Sequence, residues 1–182
     1  MTDRDDTPKV VFQCPLFSIF ESNIQITVDI GETLNKKIWY LEKAPWVRVV
    51  PFDDSGNILL IKELQLSTGE MVWRIPGGGI NQGEEPRNAA IRELIEEISF
   101  FPAIIEPLFV ETPSVSWYRQ KGYVFGARNL ISRSSDHIDI GETIDIFPTK
   151  IDNSIQMADN GLFDAWTEKS IRHAINWYKK TL

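Results

Sequence analysis

The chain has 182 residues, 42% of them hydrophobic and 25% charged, which suits one domain with a small extension and a proper core. Its net charge of −7 repels a phosphate backbone, so no nucleic acid polymer is expected as partner, although divalent cations could bridge the protein to a polyphosphate. No apolar run reaches membrane-spanning length, the first residues are acidic where a secretion signal is basic, and the single Cys14 forms no internal disulfide, so the expected compartment is the cytoplasm, away from any membrane.

Residues 1–14 begin with a polar, charged stretch and are expected to fray. Residues 15–45 read as a small antiparallel β extension. In it Ile24, Ile26 and Val28 alternate with Gln25 and Thr27, Gly31-Glu32 offers a turn, and Lys37 to Leu41 return. Trp46 to Val50 and Ile58 to Ile61 are strands separated by the turn Asp53-Asp54-Ser55-Gly56-Asn57, and the whole front third reads as one antiparallel meander.

The clearest helix runs from about Pro86 to Ile98, with proline at the favoured first position and Glu84 and Glu85 before it. Ile91, Leu94, Ile95 and Ile98 form its apolar stripe. Strands follow at Ile104 to Glu111, Gly122 to Ala127 and within Asp139 to Phe147. A short helix spans Asn153 to Asp159, ended by Asn160-Gly161, and a last helix begins near Thr167 with Ile171, Ala174, Ile175 and Tyr178 inward. The pentapeptide Asp-Ile-Gly-Glu-Thr occurs at 29–33 and 139–143 and reads as two similar turns. With helices around these strands, the fold class is α/β (α+β) with a mixed sheet.

The chemistry concentrates in Gly77-Gly78-Gly79-Ile80-Asn81-Gln82-Gly83-Glu84 and the helix after it. With helical residues about 100° apart, Glu93, Glu96 and Glu97 fall within about one such sector, opposite the apolar stripe. Clustered carboxylates repel one another unless a cation joins them, and hard oxygen donors suit Mg²⁺, Mn²⁺ or Ca²⁺. Consecutive glycines let a ligand approach the main chain. With only His137 and His173, at unrelated spacing, no histidine metal site is expected.

These residues resemble the signature of the Nudix hydrolases, Gly-x5-Glu-x7-Arg-Glu-U-x-Glu-Glu-x-Gly-U, where U is bulky and apolar. Gly78, Glu84, Arg92, Glu93, Leu94, Glu96, Glu97 and Phe100 stand at the required places. Ser99 replaces the second glycine, at a helix end where a left-handed conformation is expected, at a cost of about 1 kcal/mol.

The resemblance implies a Nudix-type α/β/α sandwich over residues 46–182, behind the β extension. It implies Glu93, Glu96, Glu97 and the Gly77 carbonyl as ligands of Mg²⁺ (or Mn²⁺), with Arg92 orienting the cluster through Glu84. The general base is a helix glutamate in parts of the family and a late-loop glutamate in others, and Glu142 stands where that loop residue would be.

Both ends of the chain are similar to the ADP-ribose and nucleotide-sugar pyrophosphatase branch, whose extra strands build a homodimer. The substrate implied is a small nucleotide derivative with a diphosphate linkage. Trp46, Arg48, Trp117 and Arg119 are the residues expected to stack a base or hold a phosphate; packing in a core or dimer surface is the other reading of each, and of Trp73. Pro113-Ser114-Val115-Ser116 lacks that branch's usual glycine and acidic residues. A nucleoside triphosphate pyrophosphohydrolase, similar around Trp73 to Gly78, and a silent Nudix-like nucleotide sensor are the alternatives.

Overall fold

The computed structural model describes residues 2–4, 7–27, 33–113, 117–133 and 145–181. In chain order the strands are β1 (Thr2–Arg4), β2 (Lys9–Gln13), β3 (Ser18–Thr27), β4 (Thr33–Glu42), β5 (Trp46–Pro51), β6 (Ile58–Gln65) and β7 (Glu70–Arg74). Helix α1 (Pro86–Ile98) follows, then β8 (Phe100–Glu111), β9 (Tyr118–Arg119), β10 (Gly122–Ser132) and β11 (Asp145–Thr149), and finally α2 (Ile151–Asp159) and α3 (Ala165–Lys180). The turn expected at Gly31-Glu32 and the start of the strand expected from Asp139 lie outside the described residues.

The chain divides into two compact units. The first comprises Met1–Pro45 and Thr112–Lys121. Its centre is the antiparallel hairpin β3–β4, running from Ser18 opposite Glu42 to Thr27 opposite Thr33. β9 joins β4 in parallel. Within residues 1–14 lie β1 and β2, both antiparallel to β3. The reason is backbone pairing: ten residues of β3 offer enough edge for two short strands end to end, which local polarity does not reveal. Phe20 stacks on its cross-strand partner Tyr40 at 5.3 Å, and the Arg119 guanidinium covers the Tyr40 ring at 4.1 Å.

The second unit comprises Trp46–Glu111 and Gly122–Leu182. The meander expected of the front third ends at β4. β5 pairs in parallel with β10, which also pairs antiparallel with β8, while β6 pairs with β7 and β11. The outcome is the mixed α+β architecture that the element order implied.

Strand alternation fixes what each face of β5 meets. Val47 and Val49 join Leu59, Ile61, Phe125 and Ala127 in a core with Ala90, Leu94 and Ile98 of α1. Val50 and Phe52 turn the other way, to Ile171, Ala174 and Ile175 of α3. Glycines on β10 admit large rings at this second face: a Cβ at Gly122 would lie 2.1 Å from the Trp46 ring, and one at Gly126 2.5 Å from that of Trp177.

Candidate active site

The loop between β7 and α1 is anchored at both ends, by Ile75 in the α3 core and Ile80 in the α1 core. Between them the backbone runs along β5, with Val49 N–H donating to the Pro76 carbonyl at 2.8 Å and Val47 N–H to that of Gly78 at 2.9 Å. The polar groups of Gly77 therefore point the opposite way. Its N–H donates to Glu97 Oε2 at 2.9 Å, and its carbonyl accepts no hydrogen bond among the described residues. Glycine is required here on steric grounds, since a Cβ at Gly77 would lie 2.3 Å from the Val47 carbonyl oxygen.

Helix α1 has the boundaries expected of it. Its acidic face is not a solvated one, however. Glu93 is 8% exposed and packs on Gly78, where a Cβ would lie 2.5 Å from its Oε1. Burial raises the Glu93 carboxyl above the usual carboxylate range, against the Arg92 charge beside it. Burial likewise pushes Glu97 up to about 8, against the Gly77 N–H, and the charges of Glu93 and Glu63 add to the rise. Glu96 remains exposed.

Arg92 ties these groups together. Its Nε donates to Glu84 Oε1 at 2.9 Å, Nη1 to Glu93 at 2.7 Å and Glu96 at 2.9 Å, and Nη2 to the Gly79 carbonyl at 2.9 Å and Glu84 Oε2 at 3.1 Å. Glu84 also accepts the Asn81 N–H at 2.9 Å, and its carboxyl is held below the usual range by Arg92 first and that N–H second. The helix ends on Ser99 with φ 58°, the left-handed conformation expected of the glycine it replaces.

Gly77, Gly78, Glu84, Arg92, Glu93, Glu96 and Glu97 are thus brought into one network. Among the described residues no three acidic side chains already converge on one point, because Arg92 holds Glu84, Glu93 and Glu96 while Gly77 holds Glu97. The donor chemistry nonetheless fits a divalent cation: the donors are all oxygen, Glu93 is buried and Glu97 partly buried, and the Gly77 carbonyl accepts no hydrogen bond among the described residues.

Trp46 and Arg48 are on the α3 face of β5, where Trp46 meets Trp166 edge-on at 5.8 Å. Arg48 donates to Asp164 and Thr167, each at 3.1 Å, and stacks on Trp46 at 5.1 Å. Trp73 packs on Phe147. Trp117 and Arg119 belong to the first unit, Trp117 exposed and Arg119 between Tyr40 and Glu42. Glu142, His137 and residues 114–116 lie outside the described residues. A further ion pair, Glu63–Arg74, acts on Glu97 through its charges, and its one signal in the sequence is the strand alternation that sets Glu63 on the side of Ile61.

A NUDIX domain profile matches residues 42–147. An ADP-ribose pyrophosphatase of Bacillus subtilis (strain 168) is 23% identical over 129 residues, 70% of each chain. An RNA pyrophosphohydrolase of Acinetobacter baylyi (strain ATCC 33305 / BD413 / ADP1) is 29% identical over 127 residues, 67% of this chain and 70% of the relative. A crystal structure of an ADP compounds hydrolase superposes with TM-score 0.80 over 99% of this chain and 95% of its own, at 20% identity, which speaks for the fold. The chain belongs to the Nudix family. It is a hydrolase of phosphoric anhydride bonds, in a family that acts on small nucleotide-derived substrates and generally uses divalent cations.

Proposed function

We propose that this protein cleaves the diphosphate bond of a nucleoside diphosphate joined to another group, of ADP-ribose or nucleotide-sugar type. The observation that carries this is the buried Glu93 carboxylate beside the partly buried Glu97 carboxylate, set against a glycine loop whose Gly77 carbonyl accepts no hydrogen bond among the described residues. The similarity to the Bacillus subtilis ADP-ribose pyrophosphatase, over 129 residues, supports the substrate class.

Glu93, Glu96, Glu97 and the Gly77 carbonyl would hold Mg²⁺ or Mn²⁺. That ion supplies neutralisation of the diphosphate charge and makes a water easier to deprotonate. Arg92 holds Glu84, Glu93 and Glu96 in place, as outer partners of metal ligands do. In the reaction the water oxygen bonds to one phosphorus, the bridging P–O bond breaks, and the bridging oxygen leaves with the second phosphate. Two phosphomonoesters result, and the proton of the water goes to a glutamate, either on α1 or at Glu142.

The first unit, with residues 15–45 at its centre, is the proposed homodimerisation element. Val10, Phe12, Leu16 and Trp39 leave apolar surface on it, and sedimentation of the purified protein at twice the chain mass is the expected result. The proposed compartment is the cytoplasm.

A second reading, pyrophosphate removal from a nucleoside triphosphate, is favoured by the similarity to the Acinetobacter protein. The test is a panel of ADP-ribose, nucleotide sugars, dinucleoside polyphosphates and nucleoside triphosphates, with and without Mg²⁺, scored by product. Phosphomonoesters from ADP-ribose or a nucleotide sugar are expected. Inorganic pyrophosphate from triphosphates, with the diphosphates untouched, would replace the first reading by the second.

A further inference from the structure

Ile61 on β6 points into the core with Leu94 and Ile98 of α1, so Glu63, two residues on, lies on the same face of the strand. Arg74 is the cross-strand partner of Ile61, so its side chain stands on that face as well. The two meet as an ion pair at 2.5 Å, each about one third exposed at 34% and 33%. Both charges reach Glu97, and that of Arg74 also reaches Arg48. Arg74 therefore stands at the margin of the carboxylate network, three residues before Gly77.

Among the described residues the guanidinium groups of Arg92 and Arg48 are committed. Arg92 uses all three of its nitrogens on Glu84, Glu93, Glu96 and Gly79. Arg48 is 14% exposed and held by Asp164 and Thr167. Arg74 uses only Nη1; its Nε and Nη2 carry no hydrogen bond among the described residues. An ion pair this exposed contributes little to stability, so exchanging Glu63 for another anion costs little. A guanidinium with two open nitrogens suits the planar, two-point grip that binds phosphate.

We infer that Arg74 is a substrate-binding residue, whose guanidinium exchanges its ion pair with Glu63 for non-bridging oxygens of the diphosphate. The inference rests on the diphosphate reading of the site.

The test is calorimetric binding of imidodiphosphate, a non-hydrolysable diphosphate, in Mg²⁺, to wild type, Arg74→Met, Arg74→Lys and Glu63→Gln, with a melting curve for each. Arg74→Met is expected to weaken binding about tenfold or more while melting near wild type. Arg74→Lys should fall between the two, and Glu63→Gln should bind as wild type or tighter, since a competing anion is removed. Equal weakening by Arg74→Met and Glu63→Gln would mean that the pair only braces β6 and β7, and would overturn the inference. No binding by wild type, or wild-type binding by Arg74→Met, would overturn it too. Imidodiphosphate binding through Arg74 without cleavage of any diphosphate would leave Arg74 in place and remove the proposed activity. Cleavage with an unchanged KM in Arg74→Met would do the reverse.

Discussion

Gly77 and Gly78 are adjacent, yet a methyl group at each would meet a different obstacle. At Gly77 it strikes the Val47 carbonyl oxygen and the Arg48 Cα, both main chain. Gly77→Ala should therefore cost stability, by about 1–3 kcal/mol, seen as a lowered denaturant midpoint. At Gly78 the obstacle is the Glu93 carboxylate, a side-chain end. Gly78→Ala should keep its melting temperature and lose roughly 10–100-fold in metal affinity or rate, as when a ligand's support is removed. A Gly78→Ala enzyme with full activity would show that the position of Glu93 is immaterial. Ser99 makes the opposite case: it holds φ 58° without being glycine. Ser99→Gly should stabilise by about 0.5–1 kcal/mol with turnover unchanged, measured by chemical denaturation.

At the scale of elements, α1 depends on its core stripe and α3 on its start. Asp164 caps α3, accepting from Trp166 N–H at 2.8 Å and Thr167 N–H at 3.0 Å, and it also receives Arg48 from β5. Burial works to raise the Asp164 carboxyl, but Arg48 and Thr167 outweigh it and hold it below the usual range. A depressed folded value means that this contribution is complete above the unfolded aspartate value of about 3.9 and is lost as pH falls through the folded one. Asp164→Ala should thus cost on the order of 1 kcal/mol at neutral pH. The gap in melting temperature between it and wild type should narrow below about pH 4. A gap that stays constant down to pH 3 would show that the carboxylate charge plays no part.

What could be read in the chain follows the range of the interactions. Helix α1, its left-handed end at Ser99 and the Arg92–Glu84 contact were legible, because periodicity and a spaced signature are local or nearly so. The departure of β5 from the meander to pair with β10 was not, since Trp46 meets Gly122 across 76 positions and nothing in either strand names its partner. The same holds for the contacts of Arg48 with Asp164 and Thr167, which lie 116 and 119 positions along the chain. The strands at Thr2–Arg4 and Lys9–Gln13 were hidden for that reason too. Between the extremes stands Glu93, whose place in the helix was legible but whose burial against Gly78 needed the loop to be placed.

For the molecule as a whole, an ion that binds only the folded chain must stabilise it. Mg²⁺ at about 100 times its dissociation constant should add about 2.7 kcal/mol, visible as a melting temperature that rises with Mg²⁺ and falls with a chelator. In the proposed function the network of α1 and its glycine loop drives diphosphate cleavage through a divalent cation. The most direct measurement is the Mg²⁺-dependent rate of cleavage of the best diphosphate substrate by wild type and Glu97→Gln, with circular dichroism to show that both are folded. No cleavage is expected without the cation, and a loss of more than about 100-fold in the variant, beyond the effect of removing an outer-shell partner. A folded Glu97→Gln protein that cleaves at the wild-type rate, or wild-type cleavage that continues in excess chelator, would contradict it.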